Sequence, residues 1–322
     1  MNQVLNMKKT VIIILNWNGA DDTIACLNSL LQLRGNFSVL VVDNGSGDDS
    51  VERIGQWIAL HENSIVAELL PLDKNYGFAV GNNKGIAYAR KYSPDYCLLL
   101  NNDTEVEPDF LTKLLEFSAR NPEYSVLTPK IFYYFDKKKI WNCGGKLFMG
   151  FRKYYYAGES DSAIKEKEYI PISFVTGCAL FFPSELIDAD GRLFTERFFF
   201  GEEDFEFSMR MNAQGVKIAC VLDSVIYHKV GVSTSKLSGV GKLYLHYLNR
   251  FIDIRINKSL LFYILWVLLN MPLCIRHFYK ALHSLPVSFK MFFSLLSDAG
   301  SKQGVSYADF EALIINKNYF NR

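Results

Sequence analysis

Cysteine is scarce and unpatterned in this chain. Six are spread over 322 residues, at Cys26, Cys97, Cys143, Cys178, Cys220 and Cys274, and no two share a Cys-x-x-Cys spacing. That excludes a zinc ribbon and a disulfide framework and fits a reducing compartment. Most lie in apolar runs, where a free thiol behaves as a small hydrophobe. Net charge is also small, at +1, and no nucleic-acid partner is expected. Repeats and low-complexity segments are absent. No signal-peptide core is expected, because the apolar run at 11–15 that follows Lys8 and Lys9 is too short and is broken by Asn16 and Asn18. No Gly-Lys-Ser/Thr marks a Walker loop. The run at 260–275 falls short of the ~20 residues a spanning helix needs, and it contains Asn270 and Pro272.

What is present is a large apolar content, 49% hydrophobic, which can bury a sizeable core and excludes disorder. The length suits one large domain or two ordinary ones. Charge is unevenly divided. Residues 1–228 carry 23 Lys+Arg against 30 Asp+Glu, a balance of −7, whereas 229–322 carry 12 against 4, a balance of +8. An acidic front and a basic, apolar tail suit different tasks, and the tail's charge matches an anionic surface, membrane or polyphosphate.

Strand and helix patterns alternate along the front of the chain. Strands are expected over 10–15, 38–42, 65–70 and 96–100. The helices between them run to about Leu33, Leu60 and Lys91, and Asp21 or Asp22 can cap the first. This alternation predicts a parallel, doubly wound sheet. A helix opens near Pro108 and runs to Arg120. Over 124–167 the pattern blurs, and short strands and loops are expected, some antiparallel. A strand at 172–182, broken by Thr176-Gly177, precedes a helix at 202–213 and strands at 216–221 and 225–227. From Lys242 the chain reads as helical to about Leu296.

In an open α/β sheet, ligands bind just beyond the carboxyl ends of the strands. Four polar stretches stand at such places. The strand ending at Leu100 runs into Asn101-Asn102-Asp103, where a carboxylate can reach a metal ion on a phosphate; the alternative is a helix cap. Asp43, followed by Asn44, Gly45 and Ser46, can accept from a nucleobase imide or a ribose hydroxyl, or simply form a turn. Asn75 to Gly85, with Gly77 and Asn83, joins glycines and amides at a helix start, where backbone N–H groups favour diphosphate or ribose oxygens. Asn16 and Asn18 follow the first strand.

Two further stretches suit proton or ion chemistry. Glu202-Glu203-Asp204 is either a solvated helix start or a general base, since crowded acids raise one another's proton affinity. His228 closes a strand ahead of Gly231 and Ser233. It is either structural or, as a neutral imidazole, a metal or phosphate contact.

These stretches, taken in order, resemble a family 2 glycosyltransferase of the GT-A fold, similar to bacterial rhamnosyltransferase-like members. The matching segments are Ile14-Leu15-Asn16-Trp17-Asn18-Gly19, Val41-Val42-Asp43-Asn44-Gly45-Ser46, Asn75-Tyr76-Gly77-Phe78 through Asn83, and Leu100-Asn101-Asn102-Asp103-Thr104. Thr176-Gly177-Cys178, Phe194 to Phe199, Glu203-Asp204 and His228 complete the set, which covers roughly residues 8–255.

The resemblance implies an α/β fold with a mixed, mostly parallel sheet. A catalytic domain would occupy 1–240 and a basic, apolar helical extension 241–322. It implies an inverting transfer from a nucleotide-diphosphate sugar to a hydroxyl of a lipid-linked saccharide acceptor, in surface-polysaccharide synthesis, with rhamnose a candidate sugar. Asp204 would be the catalytic base with Glu203 beside it. Asn16, Asn18, Asp43, Asn44, Gly45, Ser46, Asn75, Gly77, Asn83 and Asn102 would bind the donor nucleotide, and Thr176 and Gly177 would face the sugars. Asp103 and His228 would hold a divalent cation, magnesium or manganese.

Two positions depart from the family's pattern. Asn101 replaces the first Asp of the metal motif. Pro183-Ser184 stands where relatives often carry basic residues, which bears on the acceptor side. The rivals are a sugar-nucleotide pyrophosphorylase, which would carry a basic glycine-rich loop where 16–21 has no cation, and a non-catalytic nucleotide-sugar-binding protein.

The tail has the make-up of helices lying in a membrane interface, with Arg250, Arg255 and Lys258 before the apolar run and Arg276, His277 and Lys280 after it. Packing on the catalytic domain, dimerisation and true spanning are the alternatives. The expected location is cytoplasmic, peripheral at the inner face of the cell membrane.

Overall fold

The computed structural model describes residues 8–230 and 239–315; Gly231 and Ser233 fall outside them. The first half is a strand–helix alternation. It runs β1 (Thr10–Asn16), α1 (Ala20–Leu30), β2 (Phe37–Asp43), α2 (Ser50–Leu60), β3 (Ala67–Pro71), α3 (Phe78–Ala89) and β4 (Tyr96–Asn101). The apolar runs of β1, β2 and β4 are buried on both faces, as strands covered by helices on two sides must be. Asp21 and Asp22 lie inside α1, and the backbone of Gly19 begins the helix in place of a side-chain cap.

The second half is mixed. After β5 (Thr104–Val106) and α4 (Phe110–Arg120) come β6 (Tyr124–Tyr133), β7 (Ile140–Asn142), β8 (Gly145–Phe148), β9 (Phe151–Tyr154), β10 (Tyr169–Ile172) and β11 (Ala179–Pro183). Then follow α5 (Glu203–Ala213) and β12 (Lys217–His228). The main sheet runs β10-β12-β6-β11-β4-β1-β2-β3, with β5 on β12 and β7 on β6. Strands β4, β1, β2 and β3 pair in parallel, while β11 runs antiparallel between β4 and β6. The chain is therefore α/β with a mixed, mostly parallel sheet and a helical C-terminal region.

Three expectations change. The stretch read as short strands and loops begins with a ten-residue strand, β6, deep in the sheet. Its Pro129 and Lys130 obscure the apolar pattern, but a register shift in β12 opposite them absorbs the irregularity. The strands expected at 216–221 and 225–227 are one strand, β12, bent at that shift. The departure at Pro183-Ser184 lies beside Tyr96, at the amino end of β4 and thus at the opposite edge from the carboxyl ends of the parallel strands.

The C-terminal region comprises α6 (Gly239–Asn257), α7 (Leu260–Leu282), α8 (Leu285–Ser301) and α9 (Tyr307–Phe310). Their core is shared with the front of the chain, since Phe174, Phe198 and Phe205 cluster with Phe251, Trp266, Phe278 and Phe292. Neither Asn270 nor Pro272 ends α7. Trp266, Asn270, Cys274 and Phe278 recur every four residues and form its buried stripe, where Asn270 donates to the Trp266 carbonyl at 2.8 Å. Asn270 therefore faces inward and does not interrupt the outer face, where Leu261, Leu265, Leu268 and Leu269 are exposed.

Candidate active site

The ends of β1 and β2 bring Asn16 and Asp43 side by side. Asp43 is fully buried and accepts from Asn16 Nδ2 at 2.7 Å, Ser46 N at 2.9 Å and Ser46 Oγ at 2.7 Å. The Asn18 amide donates to Ser46 Oγ at 2.9 Å, and Asn18 Oδ1 accepts from Gly47 N. These five residues form one rigid polar corner.

Beside that corner, Asn44 Nδ2 donates to Asn75 Oδ1 and to the Gly77 carbonyl, and Asn44 Oδ1 accepts from Tyr76 N. Asn44 and Asn75 thus pin the second loop to the first. Gly45, at φ +70°, lies so close to Lys74 that a Cβ would fall 2.4 Å from its Cα. Gly77, at φ +83°, sits beneath the Phe199 carbonyl, and a Cβ there would fall 2.1 Å from that oxygen. Both positions require glycine on conformation and space together.

Asn83 stands apart. Its amide bonds to the Phe194 carbonyl, Glu196 and the Leu193 and Phe194 amides. It ties α3 to the chain leading to the aromatic run, and every polar atom is already engaged. Asn102 reaches back to Thr23 Oγ1 at 3.1 Å.

Asp103 and His228 meet because β5 and β12 pair, with Thr104 opposite His228. Both are buried, with Asp103 Oδ1 3.0 Å from His228 Nε2. His228 Nδ1 is buried without a hydrogen-bond partner. Among the described residues no three His, Cys, Asp or Glu gather into a metal cage. A carboxylate and an imidazole do fit an ion that arrives with a diphosphate, because magnesium takes few protein ligands, phosphate oxygens and several waters.

The acidic trio lies at the start of α5 and opens onto a cavity of about 310 Å³ lined also by Trp141, Arg152, Tyr154, Thr176 and α6 residues 242, 245, 246 and 249. Glu202 is held in the left-handed region at φ +70°, a conformation non-glycine residues keep only when their surroundings impose it. Here the surroundings are cations. Arg250 Nε bonds Glu202 Oε2 at 2.6 Å, His246 Nδ1 lies 2.8 Å from Oε1, and Arg152 Nη2 lies 3.4 Å from Oε1. Against the cost of burial, Arg250 and then His246 hold its carboxyl below the usual carboxylate range.

Glu203 and Asp204 behave in the opposite sense. Burial, then the neighbouring Asp204 charge, pushes the Glu203 carboxyl up to about 8, and Glu203 Oε2 is buried without a partner. Burial also raises Asp204, opposed by Arg152, whose Nη1 stands 3.7 Å from Asp204 Oδ1. Protonated Glu203 in the folded protein has a pH signature. A raised carboxyl contributes stability in full below its unfolded value near 4.5 and loses it as pH rises toward 8. The stability of Glu203→Gln relative to wild type is therefore expected to rise with pH across that window. Denaturant unfolding at several pH values measures it, and a flat difference would overturn the assignment.

The cavity and the metal-type pair are neighbours. Trp141 lines the cavity and packs edge-on against His228, ring centroids 4.4 Å apart. Thr176 also lines the cavity, while Gly177 packs on the Phe78 ring. Sequence reasoning missed Trp141, Arg152, Lys242, His246 and Asn249. The last three share one face of α6 at helical spacing, a signal that could have been found. Arg152 and Trp141 sit on short strands with no pattern of their own.

A polar corner at the ends of β1 and β2, a carboxylate–imidazole pair and a cavity lined by three acids thus occur together on a mixed α/β sheet. The model of glycosyl transferase family 2 matches residues 11–188, and the chain belongs to that family. No curated protein matches the sequence.

Solved structures share the fold at low identity. The mannosyltransferase PcManGT from Pyrobaculum calidifontis, in complex with GDP-Man and Mn2+, aligns with a TM-score of 0.55 at 13% identity, over 92% of this chain and 76% of that one. S. aureus TarS 1–349 in complex with UDP-GlcNAc aligns at 0.60 and 16%, over 97% and 85%. GalNAc-T7 with UDP, GalNAc and Mn2+ aligns at 0.63 and 14%, over 98% and 58%.

Proposed function

We propose that the protein is an inverting glycosyltransferase that moves a sugar, with rhamnose a candidate, from a nucleoside diphosphate to a hydroxyl of a lipid-linked saccharide. Such a step would serve surface-polysaccharide synthesis at the inner face of a membrane. The observation that carries this reading is the cavity shared by Asp204, Glu203 and Thr176, joined through Trp141 to Asp103 and His228.

The nucleotide would lie in the corner of Asn16, Asn18, Asp43 and Ser46, with its diphosphate directed toward Asp103 and His228. Those two residues would hold magnesium or manganese, which when bound offsets charge developing on the departing diphosphate. Asp204 would take the proton from the acceptor hydroxyl. That oxygen would then bond to the anomeric carbon from the face opposite the diphosphate, as the bond from that carbon to the phosphate oxygen breaks. Arg152 at 3.7 Å tempers the Asp204 charge, and burial favours the neutral form of Glu203 beside it.

Membrane contact would use the tail. Among the described residues, α7 alone is long and apolar enough to cross a membrane. Its inner stripe is buried against the protein and its outer face is leucine-rich, which suits a helix lying in the interface. Family membership counts against the pyrophosphorylase reading, whereas Asn101 is what favours a non-catalytic binder.

A panel of nucleotide sugars, rhamnose donors included, tested for binding by thermal shift and for hydrolysis with and without manganese, decides between these. Binding raises apparent stability by RT ln(1 + [L]/Kd). Binding without hydrolysis or transfer by any donor would favour the non-catalytic reading. A division of labour is expected within the donor site. Asp43→Ala weakens binding of free nucleoside diphosphate even with chelator present, whereas Asp103→Ala removes only the metal-dependent part. Calorimetry with and without chelator measures both, and equal losses of one metal-dependent share would overturn the division.

A further inference from the structure

We propose that the tip of the β8–β9 hairpin is a second bilayer-contacting element, seated with the outer face of α7 in an anionic lipid surface and carrying that contact directly to the acid cluster. The inference rests on the peripheral-membrane reading above and adds to it a loop from the front of the chain. Strands β8 and β9 pair antiparallel, with Phe148 opposite Phe151, and the two residues between them turn the chain. Met149 and Gly150 both have positive φ, +48° and +77°. A two-residue turn of this kind ordinarily takes Asn-Gly or Asp-Gly. Here it takes methionine, and Phe148, Met149 and Phe151 all remain exposed. A bulky apolar residue in a left-handed turn position is costly locally and gains nothing from water. An apolar medium outside the protein would compensate it.

The tip adjoins α7. Gly150 lies against Trp266 and Ile254, and the Phe151 and Trp266 rings are 6.3 Å apart. The hairpin tip therefore seats on the buried Trp266 stripe of α7, and Leu265 and Leu269, its neighbours along that helix, are exposed. Its charge is of one sign. Lys146 and Lys153 are exposed on the hairpin and Lys258, Arg276 and Lys280 are exposed at and along α7, with no Asp or Glu in 146–153 or 258–290. A face so basic repels a second copy of itself and attracts anionic lipid, at about 1 kcal/mol for each cation near the surface. That complementarity selects a bilayer as the occupant over a dimer partner.

The hairpin is also joined to the acid cluster. Arg250 Nη1 donates to the Gly150 carbonyl at 3.0 Å while Arg250 Nε holds Glu202. Arg152, on the returning strand, reaches both Glu202 and Asp204. Seating the tip in lipid would set the height and orientation of the cavity above the bilayer. It would favour acceptors whose head groups are held at that surface.

All six natural cysteines are buried, so a single introduced thiol can carry an environment-sensitive fluorophore. Phe148→Cys, Leu265→Cys and, at the exposed end of α2, Leu60→Cys are labelled and mixed with vesicles containing phosphatidylglycerol or phosphatidylcholine alone. Blue-shifted, brighter emission is expected from positions 148 and 265 on the anionic vesicles, with no change at 60. In unlabelled protein, Phe148→Ser with Met149→Ser should lower partitioning onto anionic vesicles by about tenfold or more. A response at 265 without one at 148 overturns the hairpin proposal and leaves the peripheral reading standing. No response at either position, at any salt, overturns both. Concentration-dependent self-association in its place would reassign the face to a dimer.

Discussion

Asp204→Asn is expected to lower sugar transfer by about 10²–10⁴-fold while leaving donor binding nearly intact, the loss typical when a general base is removed. Asp204 and Glu203 both open on the cavity, yet their surroundings separate their roles. Glu203 Oε2 is buried without a partner, and burial and then the Asp204 charge push its carboxyl up, favouring the protonated form. Asp204 faces Arg152, which favours its ionised form against burial. An ionised carboxylate can accept a proton and a neutral one cannot. The amide keeps the shape of Asp204 without that capacity, so donor titration should give an unchanged Kd while kcat falls. Transfer near the wild-type rate would remove Asp204 from the base role, and an equal loss in Glu203→Gln with Asp204→Asn active would assign it to Glu203.

The largest stability effect is expected at a residue that touches neither nucleotide nor metal in this scheme. Glu202→Gln should destabilise the fold by about 3–5 kcal/mol, because removing one partner of a buried ion pair leaves the other charge uncompensated. Arg250 is almost fully buried, stacked on Phe205 with its guanidinium 3.3 Å from the ring centroid, and Glu202 is its counter-charge. Glu202 also carries the left-handed turn that starts α5, so its loss loosens the element that presents Glu203 and Asp204. The pH dependence has a definite sign. Its folded-state carboxyl is depressed below the ordinary range, so its contribution is complete above the unfolded pKa and is lost as pH falls through the folded one. Chemical denaturation of the two proteins from neutral to acidic pH measures this. A difference under about 1 kcal/mol at neutral pH would place Glu202 among the weak, solvent-screened pairs.

The shared core alters how the tail can be tested. Phe174, Phe198 and Phe205 pack in the same cluster as Phe251, Trp266 and Phe292. Cutting the chain after Asn257 would uncover Phe251 and the hairpin beside it. Exposed-face substitutions on α7 and the hairpin therefore separate lipid contact from folding, which truncation does not.

The front half was legible because parallel sheets are. Buried on both faces, β1, β2 and β4 read as unbroken apolar runs, and each must deliver its polar carboxyl end to the same edge. That is why Asn16, Asp43 and Asp103 could be placed from order alone. The sequence also reveals the acidic front, the basic tail and the helix carrying Glu203 and Asp204.

It could not reveal that Pro129 and Lys130 sit within a long strand, or that Asn270 faces inward on α7. Both depend on what lies opposite in space. Nor could it reveal the partners of the acid cluster. Arg152 comes from a hairpin and His246 and Arg250 from the tail, and only the packing of both on the start of α5 brings them to Glu202. Local pattern determines which segments are strands, helices and ligand-facing loops, since backbone geometry and burial repeat over a few residues. The charge environment of Glu203 and Asp204 was decided by tertiary structure. Proton affinity depends on burial and on charges a few ångströms away, regardless of their separation along the chain.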